Sequence, residues 1–344
     1  MKHIRFYFLI IIIVVGTFLA YLLFLADKDA PDLTVYPVPQ PRFFPKKVNI
    51  PAFNPLTNEG VSLGRHLFYD GRLSGSGDLD SLKSCASCHI QSKGFGSDIK
   101  VLAGKGYPCG FTKNGEGIYS KNLHVTLPLI NLIYNSNGYF RNGFIWEQNM
   151  YEADDLDIGF KYLESIVWIS IISEQGINSD VDQMLELLGS DPVYKSLFIS
   201  AFGDEKITLK RIIFAITQFI RTITASDFKF YHFMEGNVTL SDSEQRGYEL
   251  FYSERTGCFH CHAGSMTMTT NQYYNNGSIG ELKSNCDRAA VTLNSGDRGA
   301  YRAPSLINSA LNAPYMHDGR YSTLEEVIDF YSEDIHNSEL ADPL

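Results

Sequence analysis

The stretch TGCFHCHAGS, residues 256–265, holds two cysteines two residues apart with a histidine directly after the second. Cys258, Cys261 and His262 in this order admit three chemistries. A thioredoxin-type redox pair needs only the two thiols at a helix start, and the histidine is then incidental. A zinc site needs four ligands, so Cys258, Cys261 and one of His260 or His262 want a partner elsewhere. Covalent attachment of a c-type haem needs two thiols that reach two vinyl groups, and a next residue that aims an imidazole at the iron. A second copy decides among them. SCASCHI, residues 84–90, gives Cys85, Cys88 and His89 in the same order and spacing. Zinc would leave two Cys-Cys-His sets each short of a ligand, whereas two covalent haems use every residue of both motifs.

The 344-residue chain is long enough for two domains, and its charged and apolar fractions are those of a folded protein. A net charge of −10, which haem propionates would deepen, argues against a nucleic-acid partner and favours one with a basic docking face. Residues 6–25 carry no charge and follow Lys2 and Arg5. As a helix this run is roughly 30 Å long, enough to cross a bilayer with its basic end in the cytoplasm. Residues 1–28 therefore read as a transmembrane anchor, with a cleaved signal peptide as the alternative. Either one exports the remainder to the periplasmic side of the inner membrane, where thiols can oxidise. Residues 29–55 are proline-rich and read as a stiff, extended linker that lifts the rest off the membrane.

The segments ahead of the two motifs are alike. Both contain Gly-x-x-Leu-Phe-Tyr, at residues 64–69 and 247–252. Ser241 and Glu244 form a capping box, so the second copy starts a helix. Leu209, Ile212, Ile213, Ile216, Phe219, Ile220 and Ile223 fall on one helical face, and Asp191-Pro192 starts a shorter helix before them. Strand signals are sparse. The expected fold class is mainly α, with long loops around the cofactors.

From about residue 55 onward the chain resembles the bacterial di-haem cytochrome c peroxidases, including their MauG-like branch. The resemblance is carried by LGRHLFYDGRLS and SCASCH in the first half. In the second half it is carried by YYNNG and DRGAYRAPSLINSALNAPYMHDGRYSTLEEVIDFY, residues 273–277 and 297–331. It implies two cytochrome-c-like haem domains, a peroxide-reactive one over residues 56–235 and an electron-transfer one over residues 236–344, with a calcium ion between them. It also implies hydrogen peroxide as oxidant. The partner would be a small electron donor (a cytochrome c or a cupredoxin) or, in the MauG-like mode, a protein substrate. The competing class is a non-enzymatic di-haem electron carrier or sensor with both irons fully ligated.

Residue by residue, His89 matches the proximal ligand of the peroxide-reactive haem and His262 that of the electron-transfer haem. The second ligand of the latter is, in the peroxidases, a methionine fourteen residues after the histidine of a His-Asp-Gly turn. Here the turn is His317-Asp318-Gly319 and the fourteenth residue on is Tyr331, as in MauG-like proteins. A capping box at Ser322 and Glu325, with Leu324, Ile328 and Tyr331 on one face, agrees with a helix. By spacing alone Tyr331 could equally be a packed core tyrosine, and Met266, Met268 and Met316 are alternative ligands. A phenolate favours ferric and higher states where a thioether favours ferrous iron, so tyrosine leans towards the MauG-like mode.

The resemblance further makes Glu174, in ISEQGIN, the group that moves a proton during peroxide cleavage; a solvated loop glutamate is the plain alternative. Glu164 and Trp168 stand near the positions of a family glutamine and proline that shape the distal pocket. Trp146, five residues beyond Arg141 in the direct match, is the candidate hopping station between haems; a packing role is its alternative. The calcium ligands map to the Asn122 side chain and the carbonyls of Asn312 and Pro314, each of which could instead be a turn residue. Cys109 and Cys286 are left over: in an exported protein a disulfide between the halves is one option and two unpaired thiols the other. His66, His124, His232, His260 and His336 have no role assigned, with His124 an alternative distal ligand.

Overall fold

Helices supply nearly all the regular structure of the computed structural model, which describes residues 33–333 and 341–342 apart from 77, 103–109, 112–113, 115, 119–122, 136–162, 175 and 279–285. The helices in chain order are α1 Asn58–Tyr69, α2 Leu163–Ile172, α3 Val181–Gly189, α4 Pro192–Phe202, α5 Leu209–Thr222, α6 Lys229–Met234, α7 Asp242–Phe251, α8 Cys258–His262, α9 Ala289–Thr292 and α10 Leu324–Glu333. Short 3-10 turns and three antiparallel ribbons make up the other regular elements among the described residues: β1 Lys100–Leu102 with β4 Leu123–Val125, β2 Gly110–Phe111 with β3 Gly117–Ile118, and β5 Tyr273–Tyr274 with β6 Tyr301–Arg302. Among the described residues no helix is long and apolar enough to cross a membrane. The expected anchor, residues 1–28, lies outside them.

The helix starts follow the capping chemistry written in the sequence. Thr57 Oγ1 accepts from the Gly60 amide at 3.1 Å to open α1, and Asp191 accepts from Val193 at 2.8 Å to open α4. The Ser241–Glu244 box forms at α7. At α10 the box sits one residue later than expected. The Ser322 and Thr323 amides donate to Glu326 at 2.6 and 2.9 Å, and Glu326 N donates to Thr323 Oγ1 at 3.2 Å. The inward residue of α10 is Phe330, which packs on Tyr321, while Ile328 is 63% exposed. The expected Leu324–Ile328–Tyr331 stripe is therefore not the buried one.

The main core forms where α1 crosses α5, with α2 and α4 closing it. The apolar face expected for α5 is the buried one: Leu209, Ile212, Ile213, Ile216, Phe219, Ile220 and Ile223 all lie inside. Gly64 is the contact that allows the crossing, because a Cβ there would run into the Ala215 carbonyl of α5. The equivalent Gly247 in α7 meets nothing within 4 Å, and α7 has no buried residue. The internal repeat thus holds for helix formation and fails for packing.

One ion pair crosses this core. Arg221 donates to Glu164 at 2.6 and 3.0 Å, with side-chain exposures of 1% and 0%. Asn54 Nδ2 and Thr217 Oγ1 also donate to Glu164, at 2.8 and 3.2 Å, and Arg221 Nε donates to the Asn49 carbonyl at 2.6 Å. Both charged groups thereby have several close polar partners, which a buried charge requires.

A smaller core joins Phe44, Leu56, Ile133, Tyr134, Tyr231, Met266 and Ile307. It corrects the free spacer expected over residues 29–55. Its described part is folded back by turns at 41–44 and 51–54, Phe44 and Asn54 are buried, and Asn49 and Asn54 serve the ion pair, so its second half is built into the fold. Cys286 is disulfide-bonded; Cys109 lies outside the described residues.

Candidate haem sites

The first motif forms a single 3-10 turn, Cys85–Ser87, opened by Ser84, whose amide donates to Ser87 Oγ at 3.0 Å. The His89 amide then donates to the Cys85 carbonyl at 2.9 Å, an α-type bond that sets His89 one turn above Cys85. The second motif is itself the short helix α8, entered through Gly257 at φ 62°. In both, the thiols stand three residues apart on one side of a turn, the separation that lets two sulfurs address one flat ligand.

The four motif thiols are unbridged. Burial pushes the Cys85 thiol up to about 12, and burial raises Cys88 and Cys261 as well. A redox pair would want a thiol pushed the other way, so this burial lends the thioredoxin-type alternative no support. Among the described residues no cluster of three metal-ligating side chains occurs.

The histidines answer the remaining question. His89 Nδ1 lies 3.1 Å from the Phe95 carbonyl, and His262 Nδ1 lies 3.1 Å from the Pro304 carbonyl. A ring that donates through Nδ1 leaves Nε2 as the nitrogen a metal would take, and backbone carbonyls of Leu127 and Met268 also lie near the two rings. Burial holds both imidazoles below their ordinary pKa, which keeps them in the neutral, ligating form. For His89 the anchoring carbonyl is brought round by two left-handed residues, Gly94 at φ 60° and Phe95 at φ 56°. Neither carbonyl was legible in the motifs, because each comes from a loop whose register only the tertiary structure fixes.

Tyr331 stands on α10 beside the second motif. Burial raises its phenol pKa, the Asn276 amide opposes that, and the nearby Cys261 and Cys258 thiols raise it further. Its hydroxyl therefore lies within electrostatic reach of both attachment thiols, while the residue as a whole is 41% exposed. Asn276 Nδ2 donates to the Tyr331 hydroxyl at 2.9 Å and approaches Met316 Sδ at 3.8 Å. Of the alternative sulfurs, Met266 is buried in the smaller core, and Met268 Sδ accepts from Tyr252 at 4.0 Å.

His317 stacks on Tyr301 with centroids 4.2 Å apart and planes 13° apart, and the His124 ring meets His317 edge-on at 5.4 Å. Burial pushes His317 down to about 4. His124 comes from β4 in the first half, and its strand neighbour Val125 donates to the His317 carbonyl at 2.9 Å. This ring cluster joins the halves. His66, His232 and His260 are satisfied locally, by the Ser62 carbonyl, Asp227 and Glu254. His336 lies outside the described residues.

Glu174 sits exposed in the turn after α2. Glu164 is committed to Arg221, and Trp168 is buried in the main core. Trp146 and Asn122 lie outside the described residues. Asn312 and Pro314 sit in the loop before His317, where Asn312 Oδ1 is buried without a hydrogen-bond partner, close to Gly96.

The profile of the family described as di-haem cytochrome c peroxidase matches residues 58–239. The methylamine utilization protein MauG of Methylorubrum extorquens is 30% identical over 293 residues, covering 83% of this chain and 72% of that protein. Cytochrome c551 peroxidase of Nitrosomonas europaea is 27% identical, covering 81% and 75%. Among solved structures, a MauG-like protein associated with microbial copper homeostasis superposes with a TM-score of 0.70 at 28% identity, covering 89% of each chain. The diheme peroxidase BthA of Burkholderia thailandensis shares the fold, with a TM-score of 0.59 at 17% identity, covering 88% and 80%.

Proposed function

The chain belongs to the di-haem cytochrome c peroxidase family, and from that premise we propose that it is a di-haem oxidoreductase that uses hydrogen peroxide as oxidant. One haem would sit on Cys85, Cys88 and His89 in the unit over residues 56–235. The other would sit on Cys258, Cys261 and His262 in the unit over residues 236–344. The observation that carries the reading is the matched pair of imidazoles, each with Nδ1 tied to a backbone carbonyl beside two unbridged thiols. When bound, the haems supply the iron that takes oxidising equivalents from peroxide and the conduit that returns electrons.

The chain's own residues do the rest. The Phe95 and Pro304 carbonyls fix ring orientation and make each imidazole a stronger donor. Glu174, exposed on the turn after α2, is the candidate to shuttle a proton between peroxide oxygens. Trp146 is the candidate hopping station. A calcium ion held by Asn122 and the carbonyls of Asn312 and Pro314 suits the oxygen-only donor set, and the orphaned Asn312 Oδ1 adds an acceptor in the same loop. We place the protein on the periplasmic side of the membrane, held by residues 1–28, with a basic donor protein meeting its negative charge.

Tyr331 favours a second reading, MauG-like oxidation of a protein substrate. A phenolate at the second iron would suit holding oxidising power better than relaying electrons at high potential, and on binding iron Tyr331 would have to give up a proton that burial otherwise retains on it. Two measurements separate the possibilities. Tyr331→Phe is expected to change the visible spectrum of one haem and leave the other; no change in either removes the ligand assignment. Peroxide added with a reduced donor protein is expected to consume the donor, and its absence with peroxide still turned over selects the protein-oxidation reading. A protein free of covalently retained porphyrin after acid–acetone extraction would end both.

A further inference from the structure

We propose that Asn276 is a positioning residue that selects Tyr331 over Met316 as the outer ligand of the second haem. The inference rests on the assignment of Tyr331 as a ligand and deepens it. Asn276 reaches both competing donor atoms with one amide nitrogen, the phenol oxygen at 2.9 Å and the thioether sulfur at 3.8 Å.

The orientation of that amide is fixed by its other end. Asn276 Oδ1 accepts from the Ser278 amide at 3.2 Å, and only the carbonyl side of the group can accept, so the NH2 side faces Tyr331 and Met316. The turn that carries it is pinned on three sides. Asn275 N donates to Asp342 at 2.7 Å, Asn275 Nδ2 donates to the Arg298 carbonyl at 2.9 Å, and Gly277 N donates to Asn275 Oδ1 at 3.0 Å. Upstream, Tyr273 and Tyr274 are registered against Arg302 and Tyr301. Asn276 is thus held in place by backbone and neighbours rather than by the two side chains it touches.

The two contacts differ in kind. N–H to a phenol oxygen is a full hydrogen bond, and to a thioether sulfur it is weak, because sulfur is a poor acceptor. A rigid donor at this point steadies the oxygen while occupying the sulfur, so the oxygen stands forward as ligand and the methionine stays back. The sequence hid this role, since Asn276 reads as an ordinary turn residue in YYNNG.

The test uses the holoprotein, with the resonance Raman bands of iron-bound phenolate and the two haem reduction potentials as readouts. Asn276→Ala removes the donor. Asn276→Asp keeps the shape and the Ser278 bond but offers only acceptors. Both are expected to weaken the phenolate bands and to raise the potential of one haem as sulfur takes the site. Adding Met316→Leu is expected to abolish the rise without restoring the bands. If both single variants keep the parent's bands and potentials while Tyr331→Phe loses the bands, Asn276 does not position the ligand and the inference falls. If Tyr331→Phe itself leaves the bands in place, the ligand assignment falls, and this inference with it.

Discussion

Glu164 shows how much a single buried charge depends on its company. Burial alone would raise its carboxyl pKa, but the Arg221 hydrogen bonds and charge, with Asn54, outweigh that and hold it below the ordinary 4.5. A carboxylate held low contributes stability that is present above its unfolded-state pKa and is lost as pH falls through the lower folded-state value. Glu164→Gln breaks the pair and is expected to cost about 3–5 kcal/mol at neutral pH. The gap between parent and variant should close as pH drops below the ordinary carboxylate range, which urea denaturation at neutral and acid pH would measure. A gap that persists undiminished in acid would mean that a poor fit of the introduced amide, not the lost charge, carries the cost. At this scale the sequence was readable where chemistry is local, as in Cys85, Cys88, His89 and their counterparts. It was silent where partners meet only in space: Glu164 with Arg221, His262 with the Pro304 carbonyl, Tyr331 with Asn276. The shifted cap at α10 has the same origin. Ser322 and Thr323 are both good caps, and Glu326 reaches the amides of both.

Between elements, the two copies of Gly-x-x-Leu-Phe-Tyr make opposite demands. In α1 the glycine lies under the Ala215 carbonyl of α5, and Leu67 and Phe68 are buried beside it. In α7 the glycine faces open space and Leu250 is 44% exposed. Gly64→Ala must push two helices apart and is expected to destabilise by about 1–3 kcal/mol or more. Gly247→Ala gains helix propensity with nothing to displace, and is expected to be neutral or to stabilise by up to about 1 kcal/mol. Thermal denaturation of the two variants decides it; equal losses would mean that α7 also packs through its glycine. The pattern that makes a helix is written in the segment itself, which is why both helices were legible. What the helix packs against is written elsewhere in the chain, and here only α1 has found α5.

Across the whole molecule, the smaller core ties together residues far apart in the chain, from Phe44 through Tyr134 and Tyr231 to Met266 and Ile307. Phe44, 3% exposed, packs on Tyr134 with centroids 5.0 Å apart and on Tyr231 at 6.1 Å. Phe44→Ala is expected to cost about 3–5 kcal/mol, as for other buried aromatics. A variant as stable as the parent in guanidinium titration would return residues 29–55 to the role of a free tether. Proline content argues against a helix here; it carries no information about whether the chain lies on the body or stands away from it. The ribbon of β5 and β6 spans a comparable reach in miniature. One strand runs on to Asn276, the other to the Pro304 carbonyl, so a single clasp holds the partners of His262 and of Tyr331 together, the two sides of the proposed second site. Changes in this ribbon could therefore retune that site's redox behaviour while leaving every ligand identity untouched, and descendants of one ancestor could diverge in chemistry by editing a clasp four residues wide.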